Sequence, residues 1–225
     1  MTRTRSTTAA SKWSRKTTEN RLPAFPDSRN VLEPNCSRCS ELVSCRNRIS
    51  WGTGPLDADV LVIGEAPGYG NPDAERWQGG NWTGMAYTTR HSGRKIRSLF
   101  SELGYDAYFT NAVKCFPERN DGSNRAPRPE ELDNCFSHLQ AEIEQVNPSV
   151  VVPTGKHATK TLFDFESIAL EGFLERVLSP VECKRLGVTA LPLLHPSYDN
   201  VWLSRLGYDR SEYVTAIDAE LTGLV

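Results

Sequence analysis

The chain lacks any apolar run near the ~20 residues of a membrane span, and its opening, Met1-Thr2-Arg3-Thr4-Arg5-Ser6, lacks the apolar core of a secretory signal. Both absences make a cytoplasmic location the expectation. Net charge is small, -2 over 225 residues, so bulk charge alone names no partner. No shift in composition divides the middle of the chain, which argues for one folded domain. Two common chemistries lack their signatures in the most conspicuous turn, Gly64-Glu65-Ala66-Pro67-Gly68-Tyr69-Gly70. It has no G-x-G-x-x-G spacing, and its proline removes an N–H that a phosphate would need. It has no serine either, so a hydrolase built on a hydroxyl nucleophile is excluded there.

What is present is organised around that turn. Val60, Leu61, Val62 and Ile63 precede it without a polar interruption, the pattern of a strand buried on both faces of a parallel sheet. Residues 108–115 read as a second strand, 149–154 as a third and 188–194 as a fourth. Crossover helices are expected over residues 92–104, from Pro127 onward and after Gly155, with a closing helix over 211–224. The expected architecture is a three-layer α/β/α sandwich around a mainly parallel four-stranded sheet. Ligands bind at the carboxyl ends of such strands, where Glu65, Asn111 and His195 fall, one per strand. Asn111 sits among apolar neighbours, so its amide is either tied to backbone or aimed at a ligand. His157, in the first turn of a short helix, reads as a surface or packing histidine.

Charge is uneven. Residues 1–48 carry ten Lys/Arg against four Asp/Glu. The Ser/Thr/Arg-rich first 28 residues read as a disordered basic tail ahead of a domain over 29–225. Residues 90–128 carry eight basic and four acidic side chains, and Arg90, Arg94, Lys114 and Arg119 are candidates for phosphate contacts. A long loop rich in Gly, Asn and Trp separates Tyr69 from Tyr87, and loops of that length are usually functional.

Six cysteines in a cytoplasmic chain argue for a metal or a reactive thiol over a disulfide framework. Cys36 and Cys39 form a C-x2-C pair suited to wrapping a metal, and Cys135 lies on the apolar face of its helix.

Gly64-Glu65-Ala66-Pro67-Gly68, Thr83-Gly84-Met85-Ala86-Tyr87-Thr88, Thr110-Asn111-Ala112-Val113-Lys114-Cys115 and His195-Pro196-Ser197, in that order, resemble the motifs of the uracil-DNA glycosylase superfamily. The likeness is to its iron-sulfur type 4 and type 5 members, closest to type 4, and covers roughly residues 30–222. It implies a monofunctional hydrolase that flips deoxyuridine out of DNA and cleaves its N-glycosidic bond with water. It also implies a monomer acting on uracil-containing DNA, without a membrane partner. Glu65 would position water at C1′ and His195 would donate to uracil O2. Asn111 would read the base edge, and Tyr87, in place of the usual phenylalanine, would stack on the base. Ala66, Pro67, Gly68 and Ser197 would complete the pocket. Cys36, Cys39, Cys115 and Cys135 would ligate a [4Fe-4S] cluster. Zinc, or a ligand set including Cys45, is the alternative, and Cys183 is spare.

There are departures. The loop after Gly68 is longer than in type 4, and the acidic residue expected beside the C5 position of the base has only Asn71, Asp73 and Glu75 as candidates. Arg90 stands where type 5 carries an aspartate. A broader deaminated-base or mismatch glycosylase, or a non-catalytic DNA-binding protein of the same fold, therefore stays open. Tyr198 and Trp202 could wedge into the base stack, though Trp202 reads better as packing.

Overall fold

The computed structural model describes residues 23–197 and 199–225, so most of the expected basic tail, and Tyr198, lie outside the described residues. Five strands and seven α-helices are formed among the described residues. Strand β1 (Val60–Gly64) lies between β2 (Ala107–Asn111) and β3 (Val150–Pro153), and both pairings are parallel. Next to β3 runs β5 (Val188–Ala190), also parallel, and beyond it β4 (Val181–Cys183) closes the sheet as an antiparallel edge.

Every residue of β1 is buried, because both faces of the sheet are covered. The side-chain alternation of the strand then sorts its residues between two layers. Val60 and Val62 pack with Ile96 and Phe100 of α3 (Ser92–Leu103), Leu203 of α6 (Asp199–Leu206), and Ile217 and Leu221 of α7 (Arg210–Leu224). Leu61 and Ile63 pack on the opposite face against Leu139 and Ile143 of α4 (Pro129–Val146) and Leu162 of α5 (Lys156–Glu166). This is the expected α/β/α sandwich, with a fifth strand added. Residues 181–183 are too short and too exposed to show a strand pattern in sequence.

Two strands are shorter than their apolar runs. The second stops at Asn111, where the chain bends so that the N–H groups of Ala112 and Val113 reach the carbonyls of Gly64 (2.8 Å) and Glu65 (2.9 Å). The fourth stops at Ala190 because Pro192 offers no N–H. Pairing then resumes, with Leu193 N–H donating to Pro153 O at 3.0 Å.

The helix ends carry their own signals. Thr89 Oγ1 accepts from Gly93 N–H at 2.9 Å as α3 begins, and Gly104, at φ 82°, ends it. Asp209 and Glu212 form a reciprocal capping box at the start of α7. A third, smaller core joins Leu42 of α1 (Ser40–Cys45), Ile49 and Trp51 to Val113, Cys115 and Cys135. It fastens the N-terminal segment beside the end of β2. No helix among the described residues is long and apolar enough to cross a membrane.

Candidate active site

Parallel register brings the three strand ends to one rim. Gly64 pairs with Asn111 across β1 and β2, Ile63 pairs with Pro153 across β1 and β3, and Thr154 bridges to Leu193 just before His195. Glu65, Asn111, Gly155 and His195 therefore follow directly from adjacent strands.

Gly64 is glycine for a reason of space. A Cβ there would lie 2.4 Å from Asn111 Oδ1 and 2.8 Å from the Tyr87 hydroxyl. Its absence lets the Asn111 amide and the Tyr87 ring close over the strand end. Asn111 is 4% exposed, and its side-chain amide makes no hydrogen bond to any described residue. Its polar atoms are not fully desolvated, so the amide stays open at the rim and available to a ligand.

Tyr87 holds a left-handed backbone, φ 52°, a conformation that non-glycine residues rarely adopt. Buried Arg97 holds it there, with Nε donating to Tyr87 O and Nη2 to Ala86 O, each at 2.9 Å. The Tyr87 hydroxyl shares a 2.5 Å hydrogen bond with Thr154 Oγ1, and its ring meets Phe109 edge-on at 5.8 Å. Burial drives the tyrosine pKa well above its usual range and lowers that of Arg97 to about 10.

His195 packs on Gly155, where a Cβ would come within 2.9 Å of the histidine Cβ. Its Nδ1 accepts from Ser197 N–H at 3.2 Å, which leaves the proton on Nε2 in the neutral ring. Glu65 is about one-third exposed, and its Oε1 lies 3.8 Å from His157 Nδ1 in the first turn of α5. Desolvation raises the pKa of Glu65, and the charge of His157 opposes that rise. The sequence reading of His157 as a surface residue agrees with its exposure but missed this neighbour; its signal is a place just past the end of β3.

Around the rim, Pro67 packs near Gly80, and Gly68 faces Asn124 and Thr89. Ala66 lies beside the third core. Tyr69 donates its N–H to Asn124 Oδ1 at 3.3 Å and sets its ring edge-on to Trp82 and Phe116, 5.6 Å from each. Asn71, Asp73 and Glu75 are all exposed. Arg90 and Arg119 are exposed as well, and Arg94 lies over Trp77 at 5.6 Å. Trp202 joins the margin of the α3/α7 core, in keeping with packing. Lys114 corrects the sequence reading: at 1% exposure it cannot reach a phosphate, and its Nζ is paired with Glu142 Oε2 at 2.5 Å.

A second constellation lies beside the rim. Cys36, Cys39, Cys115 and Cys135 line one cavity with Arg46, Trp51, Lys114 and His138. Protein donors point at three of the sulfurs. Arg46 reaches Cys115 Sγ at 3.2 Å, Lys114 N–H reaches Cys135 Sγ at 3.3 Å, and Asn134 reaches Cys39 Sγ at 3.5 Å. Burial is the main cause that pushes the Cys135 thiol up to about 12 and raises Cys115 and Cys39. Sulfurs that accept N–H bonds in a buried cavity suit thiolates neutralised by a metal. Cys45 faces away, with its thiol donating to Phe116 O at 3.2 Å, and Cys183 is buried in the α4/α5 core. At the cavity edge, donor atoms of Glu33, Cys36 and His138 lie within 4.8 Å of one another. His138 Nε2 has no hydrogen-bond partner among the described residues.

The family model described as the uracil DNA glycosylase superfamily matches residues 51–222. A type-4 uracil-DNA glycosylase of Archaeoglobus fulgidus is 29% identical over 171 residues, 72% of this chain and 77% of the relative. A type-5 uracil-DNA glycosylase of Pyrobaculum aerophilum is 30% identical over 203 residues, 76% and 82% of the two chains. A type-4 uracil-DNA glycosylase of Thermotoga maritima is 30% identical over 166 residues, 72% and 77% of the two chains.

Proposed function

The chain belongs to the uracil-DNA glycosylase superfamily, and on that premise we propose that it hydrolyses the N-glycosidic bond of deoxyuridine in DNA, as a monofunctional enzyme using water. The observation that carries the reading is the Asn111 amide, bonded to no described residue and open at the rim that Glu65 and His195 share.

In this mechanism the deoxyuridine leaves the base stack and enters the rim. Asn111 accepts from uracil N3–H and donates to O4. Cytosine presents the opposite pattern and would leave both groups unpaired, which discriminates far more sharply than shape does. Tyr87 lies against the base, held by its bonds to Arg97 and Thr154. Glu65, as carboxylate, orients a water toward C1′ and takes its proton as the C1′–O bond forms. The C1′–N1 bond breaks with its electron pair leaving on uracil, and Nε2–H of His195 donates to O2 as charge collects there. Ala66, Pro67 and Gly68 bound the water site, and Ser197 acts by fixing the histidine tautomer.

Cys36, Cys39, Cys115 and Cys135 hold a [4Fe-4S] cluster in this reading, and the N–H donors around them suit its sulfurs. When bound, the cluster supplies four bonds that tie the N-terminal segment to the end of β2 and to α4. The Glu33, Cys36 and His138 group favours zinc as the second reading. A brown protein with broad visible absorption decides for the cluster, and a colourless protein with stoichiometric zinc decides against it. We place the protein in the cytoplasm, working as a monomer.

The test is incubation of the purified protein with duplexes carrying uracil, hypoxanthine or a thymine mismatch, followed by cleavage at abasic sites. Free uracil and an intact abasic strand before alkali are expected. Release of hypoxanthine or thymine at a similar rate would make the enzyme a broader glycosylase. No release from any duplex would leave a non-catalytic DNA-binding protein.

A further inference from the structure

Glu142 occupies the apolar face of α4 between Leu139 and Ile143 and is fully buried. Its carboxylate accepts from the Tyr108 hydroxyl at 3.1 Å, the Thr110 hydroxyl at 2.6 Å and Gly52 N–H at 3.2 Å. The cation facing it is Lys114, which donates from one Nζ to three acceptors. They are Glu142 Oε2 at 2.5 Å, Thr110 Oγ1 at 2.7 Å and Asn111 O at 2.6 Å. All three ammonium protons are thus used inside the protein.

A buried ion pair contributes little net stability, because desolvation cancels most of its attraction. An apolar pair of the same volume would hold α4 to the sheet as well. What apolar side chains could not do is hold a backbone carbonyl. Lys114 holds the carbonyl of Asn111, at the point where β2 ends and the chain bends away. The Asn111 amide has no hydrogen bond to a described residue to fix it.

We propose that Lys114, anchored by Glu142, is the positioning residue that presents the Asn111 amide to the base. This rests on the reading of Asn111 given under Proposed function. The arrangement parallels Arg97, whose Nε holds the carbonyl of Tyr87. Each of two rim side chains that meet the base is set by an internal cation gripping its own peptide. Lys114 N–H also donates to Cys135 Sγ, so one residue joins the cysteine cavity to the base-reading amide.

The test compares binding to two duplexes, one with non-hydrolysable 2′-fluoro-deoxyuridine and one with a tetrahydrofuran abasic analogue. Asn111 touches only the base, so its positioning matters only for the first. Wild type and Asn111→Ala come first; if the alanine variant binds fluoro-deoxyuridine DNA as wild type does, the reading of Asn111 itself fails. With that reading intact, Lys114→Met/Glu142→Gln removes both charges together, and Lys114→Arg keeps a cation beside Glu142 while displacing the donor. Either variant should bind the fluoro-deoxyuridine duplex about ten- to a hundredfold more weakly. Affinity for the abasic analogue and the visible absorption should be retained. Adding Lys114→Arg to Asn111→Ala should cost nothing further. Equal loss on both duplexes, additive losses with Asn111→Ala, or unchanged affinity would each overturn the proposal.

Discussion

A short turn separates Asn111 at the sheet rim from Cys115 in the cysteine cavity, yet the two regions are held in shape by different means. The rim inherits its geometry from the parallel ladder, which fixes Gly64 opposite Asn111, and from two buried cations that grip its peptides. Large cores on both faces of the sheet stand behind it. The cavity draws its sulfurs from a loop, from the start of α1, from the turn after β2 and from α4. The core beneath it holds six buried residues, against seventeen and fourteen in the other two. Only Leu42, Ile49 and Trp51 of those six come from the N-terminal segment, so little apolar burial fastens it. On the proposed reading, the rim is preorganised without a ligand, whereas the cavity would take its shape from a metal.

The comparison breaks most visibly through chemistry at the rim. Glu65→Gln should lower the single-turnover rate of uracil release by about 10²- to 10⁴-fold, with the melting temperature and visible absorption unchanged. A matching loss of absorption would mean that the regions are not independent. Next in size is Cys135→Ser, or removal of the metal by a chelator. Limited proteolysis should then cut within residues 30–50, while hydrogen exchange of β1 and β3 stays protected. Loss of protection throughout the sheet would contradict the division.

Smaller effects sharpen the rim. With Glu65 acting as a carboxylate in the proposed mechanism, activity should fall as pH drops through its pKa, which burial has raised. Protonated His157 opposes that rise, so His157→Ala should move the acidic limb of the rate profile to higher pH by a fraction of a unit. An unmoved limb would show that the 3.8 Å contact with Glu65 carries no weight. Least is expected of Tyr87→Phe, because Thr154 Oγ1 keeps its 3.2 Å bond to Ile63 O. Thermal denaturation should show a change below about 1 kcal/mol, with excision within a few-fold.

The gathering of the candidate residues was legible because motif and strand end coincide: Glu65, Asn111 and His195 each close an apolar run, and a parallel sheet must gather such ends. The four cavity cysteines were legible through the resemblance, with the C-x2-C pair and the helix face adding independent support. Lys114 was misread because its partner lies on another helix, and nothing beside it in the sequence marks it as buried. The clue was Glu142, an acid on the inward stripe with Cys135, Leu139 and Ile143, which demands a buried cation. The edge strand Val181–Cys183 left no pattern because three residues cannot establish an alternation. The left-handed backbone of Tyr87 is imposed by Arg97 and by the close approach of Gly93, neither of which is a local preference.

Asn111 reads the base in the proposed mechanism, and Asn111→Asp is its most direct test. Release of uracil and of cytosine from otherwise identical duplexes is measured under single-turnover conditions. Uracil release is expected to fall by about a hundredfold or more, with any remaining activity shifted toward cytosine, whose exocyclic amine donates to a carboxylate. Uracil release at the parental rate would contradict it.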